Sequence, residues 1–116
     1  MKYLMLVCWD AEQMDAQVEP DPADTQAEES FPWLDDLQAR NIWLTGDRLA
    51  PPRRARTVRV RDGKKLVTDG PFAETKEIVG GFDIIECDSL EEAVEIAAAH
   101  PVAAGGTIEV RPFWGT

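Results

Sequence analysis

The sequence predicts an α+β domain: a sheet of four main strands with helices on one face and a separate β-hairpin inserted at mid-chain. Three observations predict it. Apolar runs of strand length recur at 2–9, 42–45, 79–87 and 107–112. Residues 57–67 alternate about Asp62-Gly63, the two-residue turn that best suits a hairpin. Ser89, with Glu92 three residues on, forms a capping box in front of an apolar stripe at helical spacing. The 116 residues, 1–116, fit one domain with a single core.

Taken in order, Lys2 to Trp9 is the first strand, and residues 11–22, polar, acidic and proline-bearing, read as a loop. Asp21 then caps a helix with Pro22 at its first position, where the missing N–H costs nothing. Pro32 would clash with the preceding turn of that helix, so a kink or a fresh start is expected near Ser30. Beyond it Trp33, Leu34 and Leu37 form an apolar stripe, while Asp35, Asp36 and Gln38 face water. Ile42 to Thr45 is a short strand closed by Gly46-Asp47, and Pro51-Pro52 excludes regular structure for a few residues.

In the hairpin, the Asp62-Gly63 turn sets Val58 opposite Val67 and Val60 opposite Lys65. That face is only partly apolar, so the ribbon needs a second surface to cover it. Val79 to Cys87 is the next strand, ended by Asp88-Ser89. In the helix that follows, Leu90, Ala93, Val94 and Ala97 form the buried stripe and Glu91 and Glu95 the wet side, and Pro101 makes His100 its end. Gly105-Gly106 leads into a last strand, Thr107 to Pro112. Strand, helix, strand, hairpin, strand, helix, strand is a ferredoxin-like split βαβ with an added ribbon. A sheet covered by helices on one face leaves the other in need of a partner, so a homodimer is expected.

Composition narrows the function classes. No window approaches the run of about 20 apolar residues of a membrane span. Tyr3 to Val7 is too short for the apolar core of a secretory signal, so a cytoplasmic location is expected. A net charge of −10 opposes general affinity for nucleic acid or anionic membranes. The positive charge is concentrated: Arg53, Arg54, Arg56, Arg59, Arg61, Lys64 and Lys65 are seven of the twelve basic residues. No aromatic interleaves them to stack on bases, which favours a solvated hairpin, or a basic edge that meets an acidic helix of a second subunit. Cys8 and Cys87 read as small core residues at opposite ends of the sheet, too far apart for a disulfide. With no Gly-rich phosphate loop and no metal-spaced His/Cys set, neither cofactor nor metal is expected.

Asp69-Gly-Pro-Phe-Ala-Glu-Thr-Lys-Glu77 is the densest stretch of residues chosen for backbone geometry and charge. It resembles, residue for residue, the signature of the DGPF branch of the YCII-related proteins. The opening Met1 to Val7, the hairpin Thr57 to Gly63 and the closing Gly106 to Pro112 resemble the same family in the right order. The resemblance implies a ferredoxin-like fold used as a dimeric α/β barrel, with relatives that include muconolactone isomerase-like and dehydrochlorinase-like proteins. It also implies an early histidine paired with an aspartate, which this chain lacks.

In such a fold one end of the sheet gathers Trp9 and Asp10, the Gly46-Asp47-Arg48 turn, the Asp69 loop and the Gly105-Gly106-Thr107 segment, a rim suited to binding. Asp69 is the candidate catalytic residue: at the mouth of an apolar barrel, desolvation would raise its pKa toward an acid–base range. The alternative is a turn aspartate that bonds its own loop. Phe72 is expected to anchor the loop. His100 at a helix C-terminus would favour its protonated form and come within reach of Asp69. Arg111 either binds a substrate carboxylate or pairs with Glu86 or Asp83. With Trp9 and Arg48 these are the candidate substrate-binding residues. Two functions compete. One is a cofactor-free lyase or isomerase working by proton transfer on a small molecule. The other is a non-catalytic small-molecule-binding or regulatory dimer, which the resemblance links to extracytoplasmic sigma-factor signalling.

Overall fold

The computed structural model describes residues 1–10, 12, 31–72 and 76–115. Apart from Glu12, the expected loop over 11–22 and the helix capped by Asp21 lie outside these residues. Strand β1 (Lys2–Asp10) buries Tyr3, Met5 and Val7 on one face and half-buries Leu4, Leu6 and Cys8 on the other. Helix α1 (Pro32–Ala39) starts afresh at Pro32, the first helical position, and buries Trp33 and Leu37. It ends where Asn41 takes a left-handed φ of 57°. The Asn41 and Ile42 amides then bond back to Gln38 O and Leu37 O, closing a Schellman motif that an asparagine tolerates well.

Strand β2 (Trp43–Arg48) runs straight through Gly46-Asp47 instead of stopping there, because those residues pair with Asp83 and Phe82 of the central strand β5 (Glu77–Glu86). Strand β5 begins two residues before the expected Val79 and carries a bulge at Gly80, since β1 pairs Val7 with Gly81 and Cys8 with Val79. Between β2 and β5 a short 3₁₀ turn (Pro52–Arg54) leads into β3 (Arg56–Arg61) and β4 (Lys64–Asp69). Their register is the expected one, Val58 opposite Val67 and Val60 opposite Lys65, with Asp62 and Gly63 both at positive φ as the tight turn requires.

Helix α2 (Leu90–Ala98) is capped by Ser89, whose Oγ accepts from the Glu92 amide at 3.1 Å. The returning carboxylate accepts from Asp88 N at 3.0 Å, one residue earlier than a capping box would have it. Its buried stripe is Ala93, Ile96 and Ala97, whereas Leu90 and Val94 stay 44% and 49% exposed. A 3₁₀ turn (Pro101–Ala104) then leads into β6 (Thr107–Pro112).

The result is an α+β architecture. The antiparallel sheet runs β2-β5-β1-β6 and is open, and the hairpin β3–β4 forms a sheet of its own. The core of Tyr3, Met5, Trp33, Leu37, Ile42, Ile85 and the inner side of α2 lies between that sheet and the helices. Trp33 Nε1–H donates to Ile96 O at 2.8 Å and ties the two helices together. Cys8 is only half-buried, Cys87 is buried, and both are free thiols. Leu37 is 2% exposed, so Leu37→Ala should cost about 2–5 kcal/mol in urea unfolding. Leu90→Ala should cost less in the same measurement, about 1 kcal/mol, because nearly half of Leu90 already faces water.

Candidate functional site

The strand register places an aspartate among core residues. Asp83 lies opposite Met5 on one side and Gly46 on the other, on the face that packs against the helices. A Cβ at position 46 would lie 2.6 Å from Asp83 Oδ1 and 2.6 Å from Phe82 O, so the carboxyl group occupies space that only glycine leaves. Trp43 sits three residues before Gly46, a spacing that puts side chains on opposite faces of a regular strand. The irregularity between Trp43 and Thr45 restores both to one face, and Trp43 Nε1–H donates to Asp83 Oδ1 at 2.9 Å.

His100 approaches from the far end of α2. Pro101 holds it in extended backbone, φ −64° and ψ 137°, which turns the chain out of the helix. Its ring is buried, edge-on to Trp33 at 4.6 Å and to Phe31 at 6.0 Å. His100 Nδ1 accepts from Val102 N–H at 3.0 Å, so that nitrogen is unprotonated. Burial lowers the His100 pKa from its ordinary 6.5, with Asp83 opposing. The imidazole is therefore neutral near pH 7, with its proton on Nε2, contrary to the protonated form expected at a helix end. Burial also raises the Asp83 pKa from 3.8, opposed by the Trp43 hydrogen bond and by His100.

Nε2 of His100 and Oδ2 of Asp83 are 3.9 Å apart. That is too long for a hydrogen bond, and it is short enough for a single oxygen atom to bond both. The two side chains are 7% and 14% exposed, so the pair is covered but reachable at its edge. Chemically it offers a carboxyl group with a raised pKa beside a neutral N–H donor.

Of the residues predicted from sequence, His100 alone joins this pair, and its carboxylate partner is Asp83, not Asp69. Asp69 ends β4, bonds Arg56 Nε at 3.1 Å, and is 87% exposed within the single chain. In the single chain it stands in water beside a guanidinium, not at the mouth of an apolar interior. Phe72 is 73% exposed and lies 4.7 Å beneath the Arg59 guanidinium, so it does not anchor the loop in an apolar interior. Trp9 and Arg48 do come together, the guanidinium 6.0 Å from the indole centroid, and Trp9 Nε1 is buried with no hydrogen-bond partner among the described residues. Arg111 is on the open face opposite Leu4, 3.9 Å from Glu109 rather than from Glu86 or Asp83. The Gly105-Gly106-Thr107 segment reaches the expected end of the sheet, where Thr107 Oγ1 donates to Glu77 Oε2 at 2.9 Å.

Trp43 escaped the sequence reading as a site residue, Gly46 entered it only as part of the rim turn, and Asp83 only as a possible partner of Arg111. The signal that finds them is an aspartate inside the apolar run Phe82-Asp-Ile-Ile85, since a carboxylate is seldom buried without a dedicated partner. A depression of about 380 Å³, lined by Met1, Arg40, Asn41, Cys87 and Glu92 among others, lies at the other end of the sheet from Trp9. Among the described residues no group of His, Cys, Asp and Glu could hold a metal ion, and no helix is long and apolar enough to cross a membrane.

The chain is thus an α+β protein with an open antiparallel sheet and a buried histidine beside a half-buried aspartate. The YCII-related domain matches residues 1–115, and the chain belongs to that family. It is 48% identical over 70 residues to an uncharacterised protein of Rhizobium meliloti (strain 1021), an alignment covering 57% of this chain and 55% of that protein. It is 44% identical over 52 residues to the uncharacterised protein YjpA of Bacillus subtilis (strain 168), covering 45% and 58%. The match thus spans little more than half the length of these relatives.

The neutral state of His100 has a pH consequence. A group whose pKa is lower when folded than when unfolded takes up its proton first in the unfolded chain, so stability falls as pH drops below about 6.5. The raised Asp83 works the other way, adding stability at low pH that is lost as pH rises above 3.8. His100→Asn keeps an acceptor for Val102 N–H and removes the titration, while the ring packing on Trp33 and Phe31 that it also removes costs the same at every pH. The stability of the wild type relative to this variant should therefore decline from pH 7.5 to 5.5, at no more than about 1.4 kcal/mol per pH unit, in urea unfolding.

Proposed function

We propose that the chain is a homodimer that catalyses cofactor-free proton transfer on a small carbonyl compound, as a lyase or isomerase. Asp83 is its acid–base group. The carrying observation is the 3.9 Å gap between Asp83 Oδ2 and the neutral His100 Nε2. A carbonyl oxygen seated against Nε2–H would be polarised by a donor that does not give up its proton, because the neighbouring Nδ1 is already committed to Val102. The Asp83 carboxylate would then remove the proton from the adjacent carbon and return it elsewhere, with a pKa raised toward the range that such transfer needs. Trp43 and Gly46 position the carboxylate.

The dimer follows from the open sheet face. Leu4 and Ile84, and Leu6 and Phe82, are opposed pairs left half-buried there, and a second copy would cover them. The order β2-β5-β1-β6, with the hairpin set aside, agrees with a ferredoxin-like split βαβ, so two such faces would enclose the dimeric α/β barrel that the family resemblance implies. In that assembly the DGPF loop would lie at the rim, and Asp69 would take part only if the partner covers it. A non-catalytic binding or regulatory dimer is the second reading, favoured by the exposure of Asp69 in the single chain.

Solvent deuterium incorporation into a panel of small keto acids and lactones, followed by proton NMR, separates the readings. The wild type should exchange at least one member, and Asp83→Asn should lose about 10²–10⁴-fold of that rate while keeping its fold by circular dichroism. A loss confined to Asp69→Asn would move the chemistry to the hairpin. No exchange by the wild type would leave the binding role.

A further inference from the structure

We propose that the hairpin β3–β4 is an arm that seats on helix α2 of a second copy of this chain. The hairpin is bonded to neither edge of the main sheet. A two-stranded ribbon alone in water is marginal at best, yet this one leaves Val58, Val60, Leu66 and Val67 each at least half exposed. Val58, Val60 and Val67 share one face with Lys65, so the ribbon presents an apolar strip edged with positive charge. Among the described residues, Lys64 and Lys65 pair with no carboxylate.

Helix α2 presents the complement. Leu90 and Val94, one turn apart, are the apolar residues that its buried stripe leaves outside, and Glu91 and Glu95 beside them are exposed. Neither glutamate pairs with a cation among the described residues. Apolar strip against apolar strip, with Lys65 on the strip's own face and Lys64 at the adjoining turn set against the glutamates, gives both attraction and register. The occupant is another copy because this chain, at −10 overall, places five of its twelve basic residues in the hairpin and carries the matching acidic surface itself. Two hairpins meeting edge to edge would set cations against cations. In a symmetric dimer the contact is made twice, hairpin to helix in both directions. The inference rests on the homodimer proposed above and adds a second contact to it.

The test uses sedimentation velocity on the full chain with two charge-reversed variants. One carries Lys64→Glu and Lys65→Glu, the other Glu91→Lys and Glu95→Lys. Each alone sets like charges together at both contacts and should dimerise about tenfold more weakly than wild type. Mixed in equal amounts they should form a heterodimer of wild-type strength, because each reversed hairpin then meets a reversed helix or an unreversed pair. Reversed variants that dimerise as tightly as wild type, or a mixture no tighter than its components, would overturn the arm. Phe82→Asp on the open face keeps the two ideas apart. If it dissociates the dimer while both reversed variants behave as wild type, the sheet-face dimer stands and the arm falls. A wild type that is monomeric throughout removes both.

Discussion

A neutral imidazole at the end of α2 is the contact on which the rest of the structure depends. His100, at the end of α2, joins three further elements. Its ring packs on Trp33 of α1, its Nδ1 caps the 3₁₀ turn before β6, and its Nε2 faces Asp83 of β5. Asp83 in turn is held by Trp43 and accommodated by Gly46 of β2. Each of these polar groups is costly to bury alone and acceptable when paired, so the cluster fixes the relative placement of helices and sheet as well as supplying its chemistry. Burial disfavours charge on both ionisable members and outweighs their mutual attraction, leaving two groups biased toward their neutral forms.

Most of the fold was legible because local signals agreed with one another. Asp62-Gly63 fixed the hairpin register to the residue, Ser89 marked the start of α2, and Pro101 turned the chain out at His100. The errors share a cause, which is that local patterns say nothing about what lies across the sheet. Gly46-Asp47 looked like a strand end, but pairing with β5 carries the strand through it. Leu90 and Val94 looked buried because they are apolar at helical spacing, but the helix turns Ala93, Ile96 and Ala97 to the core and leaves those two outside.

The site was less legible than the fold for the same reason. Asp69 drew attention through its motif, a local feature, whereas the Asp83–His100 pair is made by residues 17 positions apart that only tertiary packing brings together. His100 was in view, yet its helix-end position suggested a proton that burial and the Val102 amide deny it. What remains unsatisfied in the single chain is apolar surface: the open sheet face, the hairpin and the outer side of α2. For an acidic chain with five of its twelve basic residues in the hairpin, association with its own kind is the economical arrangement.

Because the chain has a single histidine, nitrogen-15 NMR of its imidazole reads the central claim without assignment. At about pH 7 the account predicts a neutral ring with the proton on Nε2 and a bare Nδ1, titrating below the ordinary 6.5. A charged ring at that pH, or a proton on Nδ1, would contradict it.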